Sequence, residues 1–282
     1  MERVRWPEVV ARAREIVVGY GPLGVTLRQC FYRLAAEGTL PNTAPMYRRL
    51  SARLAQARRD GTFPDLLVDT LREVHVPPAW RDAAEFLAAV PGSFGLDRTE
   101  GQPAALYLAA EKDTLRALLT SWTAELGVPV LVVRGFGSQS YVDVVRRRAA
   151  ADTRPAHLLY VGDFDASGEE IEADFIARTG CWASVLRVAL TARQVERYAL
   201  PPADGKAADP RWPAFAERHG LARSEPVQWE VEALDPAELR RLVLEAVEPF
   251  VDRAALARQI EAEAEQRERI EHFLARWGET ER

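Results

Sequence analysis

The stretch HLLYVGDFDASG, residues 157–168, decides how this chain is read. Leu158, Leu159, Tyr160 and Val161 form a short apolar run, the pattern of a strand buried on both faces of a parallel sheet. Gly162 and Gly168 mark a turn, and a helix is expected from Glu169. In open α/β sheets, ligands bind beyond the carboxyl ends of the strands, which is where Asp163 and Asp165 fall. If the backbone stays extended, both side chains share one face. Two carboxylates that close repel unless a proton or a cation lies between them, and hard oxygen donors suit Mg²⁺.

Working outward, strand and helix patterns alternate on both sides. Strands are expected at Ala105–Ala109, Val128–Val133, Leu158–Val161 and Ser184–Ala189, with helices at Lys112–Leu126, Ser138–Ala149 and Glu169–Thr179. Such alternation predicts parallel strands joined by crossover helices. Upstream, helices are expected at Pro7–Val18, from Thr26 to Ala36 and from Asn42–Pro45 to Arg59, followed by an extended piece at Leu66–Val68. Residues 73–103 are rich in Pro and Gly and read as a linker holding a short helix, Trp80–Val90. Leu200–Pro213 reads as an exposed loop, and the pattern from Asp235 onward is helical.

Composition narrows the classes. The 282 residues are 48% hydrophobic and 28% charged, as in a globular chain of one large or two ordinary domains. No apolar stretch is long enough to span a bilayer, and the first residues, MERVRWPEVV, lack a signal-peptide core; a reducing cytoplasm is the expected address. Cys30, Cys181 and the four scattered histidines show no zinc-ligand spacing. The net charge of −5 hides a polarity. Residues 1–80 hold twelve Arg against eight acids, and residues 225–282 hold eight Arg against fifteen. Lys112 and Lys206 are the only lysines.

The strand ends carry the chemistry. The first expected strand closes on Glu111, Lys112 and Asp113, the second on Arg134-Gly135-Phe136-Gly137-Ser138, the third on Asp163-Phe164-Asp165. Glu111, Asp163 and Asp165 on one rim form a plausible set of ligands for one or two Mg²⁺. In the basic N-terminal part, Arg48, Arg49, Arg53, Arg58 and Arg59 recur on a helix whose Leu50, Leu54 and Ala57 face inward. An arginine face of this kind supplies salt-dependent, sequence-blind affinity for phosphate backbones.

These segments carry a resemblance. LYLAAEKDTL (106–115) and LLYVGDFDASGEEI (158–171) are similar to the Toprim signature of a strand-end glutamate and a later DxDxxG. TLRQCFYRL through DTLR (26–72) resembles the winged-helix DNA-cleavage module of the topoisomerase VI A subunit and its meiotic double-strand-break relatives. WEVEALDPAELRRLV (229–243) resembles the closing stretch of their Toprim domains. The expected architecture is an α/β chain: a winged-helix-like α(+β) domain (1–75), a linker (76–103), a Rossmann-like Toprim domain with a mostly parallel sheet (104–250), and a C-terminal helix (251–282).

The resemblance implies a DNA-cleaving enzyme. Tyr32, after Phe31 and four residues beyond Arg28, matches the nucleophilic tyrosine that forms a 5′-phosphotyrosyl link. Glu111, Asp163 and Asp165 match the Mg²⁺ ligands, and Lys112 the basic residue after the glutamate. It also implies a homodimer, since the cooperating metal and tyrosine come from different protomers, and leaves room for a separate ATPase subunit. Three departures stand out: Gln29 where an acid usually follows the arginine, Ala166 where the DxD often continues with Pro, and no N-terminal extension of the kind that engages the ATPase. A hydrolytic Toprim nuclease with Tyr32 in the core, a haloacid-dehalogenase-type phosphatase using the DxD, and a non-catalytic DNA-binding protein remain as alternatives.

Overall fold

The computed structural model describes residues 4–20, 25–67, 76–206 and 208–280. Three N-terminal helices come first: α1 (Trp6–Tyr20), α2 (Leu27–Ala36) and α3 (Ala44–Arg59). Thr26 starts α2 with a capping box, its hydroxyl accepting from the Gln29 amide while the Gln29 side chain accepts from the Thr26 amide. Gln29 is therefore consumed by helix capping. Val25 bridges Leu67 in parallel. Val68, the end of the expected extended piece, lies outside the described residues, so three helices and one bridge are what stands of the expected winged-helix arrangement.

Helix α4 (Ala83–Ser93), inside the expected linker, leads to strand β1 (Ala105–Ala110). Then follow α5 (Asp113–Thr123), β2 (Val130–Val132), α6 (Gln139–Ala150), β3 (Ala156–Val161), α7 (Ala166–Thr179) and β4 (Ser184–Ala189). The four strands form one sheet, parallel as the alternation predicts, in the order β2-β1-β3-β4. The two central strands, β1 and β3, are buried almost throughout, which is why they read as unbroken apolar runs.

Three expectations need correction. Helix α7 begins at Ala166 rather than Glu169, because Asp165 caps it by accepting the Gly168 amide at 2.6 Å; Gly168 lies in the first helical turn, not in the preceding bend. The segment 200–213 is not a plain exposed loop. Leu200 and Trp212 are buried, Ala203–Asp204 (β5) pairs antiparallel with Val227–Gln228 (β6), and Trp212 opens α9 (Trp212–His219) between α8 (Ala192–Arg197) and β6. The C-terminal helical pattern is also broken: α10 (Pro236–Val247) and the long α11 (Arg253–Thr280) are separated by a 3-10 turn at Glu248–Phe250.

The packing joins the two halves. One cluster of buried apolar side chains runs from Val9, Phe31, Tyr32 and Leu54 in the N-terminal helices to Leu108, Leu159 and Val188 in the sheet and Leu239 and Val243 in α10. Polar contacts reinforce it: the Tyr20 hydroxyl donates to Asp235 at 2.6 Å, and Arg33 pairs with the same carboxylate at 3.8 Å. Asp235 also caps α10 through the Ala237 amide. The expected linker is itself anchored, since the buried carboxylate of Glu263 on α11 accepts from the Leu96 amide and pairs with Arg98 and Arg267. Among the described residues no helix is long and apolar enough to cross a membrane.

Candidate active site

Strands β1 and β3 pair in register, Ala110 opposite Val161, so the residues that follow them emerge side by side. The Glu111 amide donates to the Val161 carbonyl at 3.0 Å, and Glu111 Oε2 accepts the Asp163 amide at 2.7 Å. This close approach depends on glycine. A Cβ on residue 162 would stand 2.6 Å from Glu111 Oε2 and 2.6 Å from the Tyr160 ring. A Cβ on residue 168 would stand 2.8 Å from the Asp163 carbonyl, 3.2 Å from Glu111 Oε2 and 3.4 Å from Asp165 Oδ1. Three oxygens thus gather over the bare face of Gly168. The spacing Asp163-x-Asp165-x-x-Gly168 is the sequence imprint of that geometry.

The second strand-end aspartate has work of its own, because Asp165 Oδ1 takes both the Gly168 amide and the Ser167 hydroxyl. Asp163 is only 5% exposed. Its Oδ1 accepts the Val231 amide at 3.0 Å, and its Oδ2 lies 2.5 Å from the Lys112 ammonium. The carbonyl of Asp163 is held by Arg187, which also donates to the Leu190 carbonyl and pairs with Glu172.

Two acids absent from the expected set complete the site. Phe164 and Trp229 form an antiparallel bridge, their amides and carbonyls bonding reciprocally at 2.8 and 3.1 Å. That bridge delivers Glu230 and Glu232 to the rim. Glu230 Oε2 pairs with Lys112 at 3.2 Å and with Arg28 from α2. Glu232 is buried among the same charges. Only the alternation of WEVE (229–232) hinted at them, and that pattern is common to any half-buried strand.

Helix α2, packed against the 3-10 turn Val231–Ala233, brings Arg28 and Tyr32 to this cluster. Tyr32 is 5% exposed and stacks at a tilt against Phe31. Burial, then the facing Glu230 carboxylate, push its phenol above the ordinary tyrosine range, with Arg28 opposing. Arg28, Tyr32, Glu230, Lys112 and Asp163 therefore belong to one network within a single chain.

The electrostatics are those of a site with surplus negative charge: five carboxylates (Glu111, Asp163, Asp165, Glu230, Glu232) face two cations (Lys112, Arg28). Burial and then repulsion by Asp163 push Glu111 up to about 7. Burial raises Asp163 against the pull of Lys112, and raises Glu232 as well. Glu230 alone goes the other way; burial disfavours its charge, but Lys112 and Arg28 outweigh that and hold it below the usual range. The Tyr160 hydroxyl, near Glu111, is buried without a hydrogen-bond partner.

Among the described residues no three acids, histidines or cysteines are grouped closely enough to hold a metal ion as they stand. The nearest approach to a ligand set is the trio of oxygens over Gly168, a cradle of hard donors that suits Mg²⁺. The Asp163 carboxylate is turned instead to Lys112 and Val231, and its Oδ2 becomes a ligand only if Lys112 releases it.

The arginines of α3 lie elsewhere. Arg48, Arg49, Arg53, Arg58 and Arg59 are all exposed. Arg53 lies over the Trp6 ring, Arg58 pairs with Asp65, and Arg59 donates to Gln56. Glu169, an acid just beyond the DxD, is tied to Arg218 and His219. A cleft of about 860 Å³, lined by Arg147, Arg148, Asp152 and Arg154, opens at the opposite end of the sheet, where β1 and β2 begin. It holds none of the acids just described, so chemistry rather than cleft size locates the site. Compared with known protein families and with curated proteins, the chain finds no match.

Proposed function

We propose that the protein is a Mg²⁺-dependent, DNA-cleaving protein of Toprim type, hydrolysing phosphodiesters at the rim built by Glu111, Asp163 and Asp165. The observation that carries this reading is the pairing of Glu111 with the Asp163 amide across adjacent parallel strand ends, with Asp165 opening the next helix.

Glu111 and Asp165, with Asp163, would hold the ion, which supplies neutralisation of charge on the phosphoryl oxygens during cleavage. Lys112 balances Asp163 and Glu230 until substrate arrives, and its ammonium can then turn to a phosphate oxygen. Arg28, partly exposed at the edge of the cluster, is placed to grip a neighbouring phosphate. The exposed arginines of α3 supply the sequence-independent affinity for the duplex.

A second reading keeps Tyr32 as a nucleophile in the manner of the topoisomerase VI A subunit, with a homodimer and room for a separate ATPase subunit. It is favoured by the single carboxylate, Glu230, that links Tyr32 to Lys112. Hydrolysis is preferred because Tyr32 is buried and its phenol is harder to ionise than usual.

Supercoiled plasmid with Mg²⁺ separates the readings. Hydrolysis predicts that Asp163→Asn abolishes nicking, that Tyr32→Phe retains it, and that no protein stays attached to the DNA. Loss of cleavage in a folded Tyr32→Phe protein, with a covalent adduct in the wild type, would establish the tyrosine reading instead.

A further inference from the structure

The loop after β2 presents a feature that the acid cluster does not use. Phe136 is 55% exposed on the same rim, at the carboxyl end of the sheet. It is held there by construction. Gly135 takes φ +60°, a conformation that side chains rarely adopt, and so turns the chain. The following carbonyl, Gly137, accepts from Arg178 at 2.7 Å, and Ser138 caps α6. The loop turns at Gly135 and is pinned just beyond the outward-facing aromatic ring.

The Arg211 guanidinium lies 6.0 Å from the Phe136 ring centroid, and is itself fixed by Asp209 at 2.8 Å and Glu170 at 3.4 Å. Arg134, two residues before Phe136, is exposed. The connection back to the site is short: Asp209 lines a small cleft with Asp165, Ser167 and Lys206. An exposed aromatic ring with an arginine against it is an arrangement on which an unstacked base rests while its phosphates meet nearby cations.

We infer that Phe136 is a stacking platform for one base of a single DNA strand, with Arg134 and Arg211 contacting its flanking phosphates, and that it leads the strand toward the acid rim. This rests on the DNA-cleaving reading, but concerns how the strand is held rather than how it is cut. The partner it selects is DNA with an unpaired or frayed base; intact duplex has no free base face to offer.

The test is binding without cleavage. Fluorescein-labelled oligo(dT) and a duplex of equal length are titrated against the full chain in EDTA and followed by anisotropy. Phe136→Ala is expected to weaken oligo(dT) binding by roughly 5- to 150-fold, the range for one lost base stack, and to leave duplex binding unchanged. Phe136→Trp is expected to restore it. Wild-type binding with no difference in Phe136→Ala overturns the platform while leaving the cleavage reading intact. A wild-type chain that binds neither oligonucleotide overturns the DNA reading itself.

Discussion

The Lys112 ammonium stands 2.5 Å from Asp163 Oδ2, so a side chain next to one strand end neutralises the acid at the next. With Asp163 only 5% exposed, this pairing is what permits its charge to be buried. Lys112→Ala is expected to cost about 3–5 kcal/mol in urea unfolding with EDTA present, the usual penalty for stranding a buried partner. Added Mg²⁺ should recover part of that loss, and recover more in the variant than in the wild type. A variant as stable as the wild type would mean that Asp163 is protonated in the folded chain.

Glu111 sets a pH dependence with a definite sign. Its folded value, about 7, is above the ordinary 4.5, so the folded state holds the proton more tightly than the unfolded state. Its contribution favours folding at low pH and is lost as pH rises from about 4.5 through 7. Glu111→Gln removes that loss. In chelator, the variant should gain stability over the wild type from pH 5 to pH 8, as thermal melts at intervals across the range would show; a constant difference would contradict the assignment.

Arg187 ties three segments together through the Asp163 and Leu190 carbonyls and Glu172. Arg187→Ala should destabilise by about 3 kcal/mol, since Glu172 is left buried without its partner. Glu172→Gln in the same chain should recover part of this, giving a coupling of about 1 kcal/mol or more in a double-mutant cycle. Additive costs would show that the pair contributes nothing beyond its separate contacts.

Gly168→Ala places a methyl 2.8 Å from the Asp163 carbonyl, a backbone atom with little room to retreat. The expected outcome is about 1–3 kcal/mol lost on unfolding, together with loss of plasmid cleavage. Gly38→Ala serves as the comparison: a Cβ there meets nothing within 4 Å, and the position is strained only by its φ of +70°.

The paired substitution Arg48→Ala and Arg49→Ala should weaken DNA binding equally for unrelated sequences. If each arginine neutralises one phosphate, the slope of log K against log salt should flatten by about 2. An unchanged slope would remove α3 from the DNA-facing surface.

Much of this was legible in the chain, for reasons that can be named. Leu158–Val161 is buried on both faces, so the strand shows as a continuous apolar run. Glu111 and Asp163 follow directly from strand ends, but their adjacency depends on β3 lying beside β1, an order that the alternation alone does not encode. Asp165 was harder, because it serves as helix cap while belonging to the acid pair, and the glycine three residues on looked like a turn. Glu230, Glu232 and Arg187 were not legible as site residues. They arrive through tertiary pairing, Phe164 with Trp229 and Arg187 with the Asp163 carbonyl, which no local period encodes. Residues 200–213 were misread because Pro, Ala and Gly mask the buried Leu200 and Trp212.

The Phe164–Trp229 bridge also has a consequence for biosynthesis. Tyr32 and Arg28 leave the ribosome well before the carboxylate that engages them, Glu230, which is about two hundred residues behind. A nascent chain has no assembled acid cluster until that segment has emerged and docked. Under the proposed cleavage reading, a chain that stops short of residue 230 is expected to show no cutting.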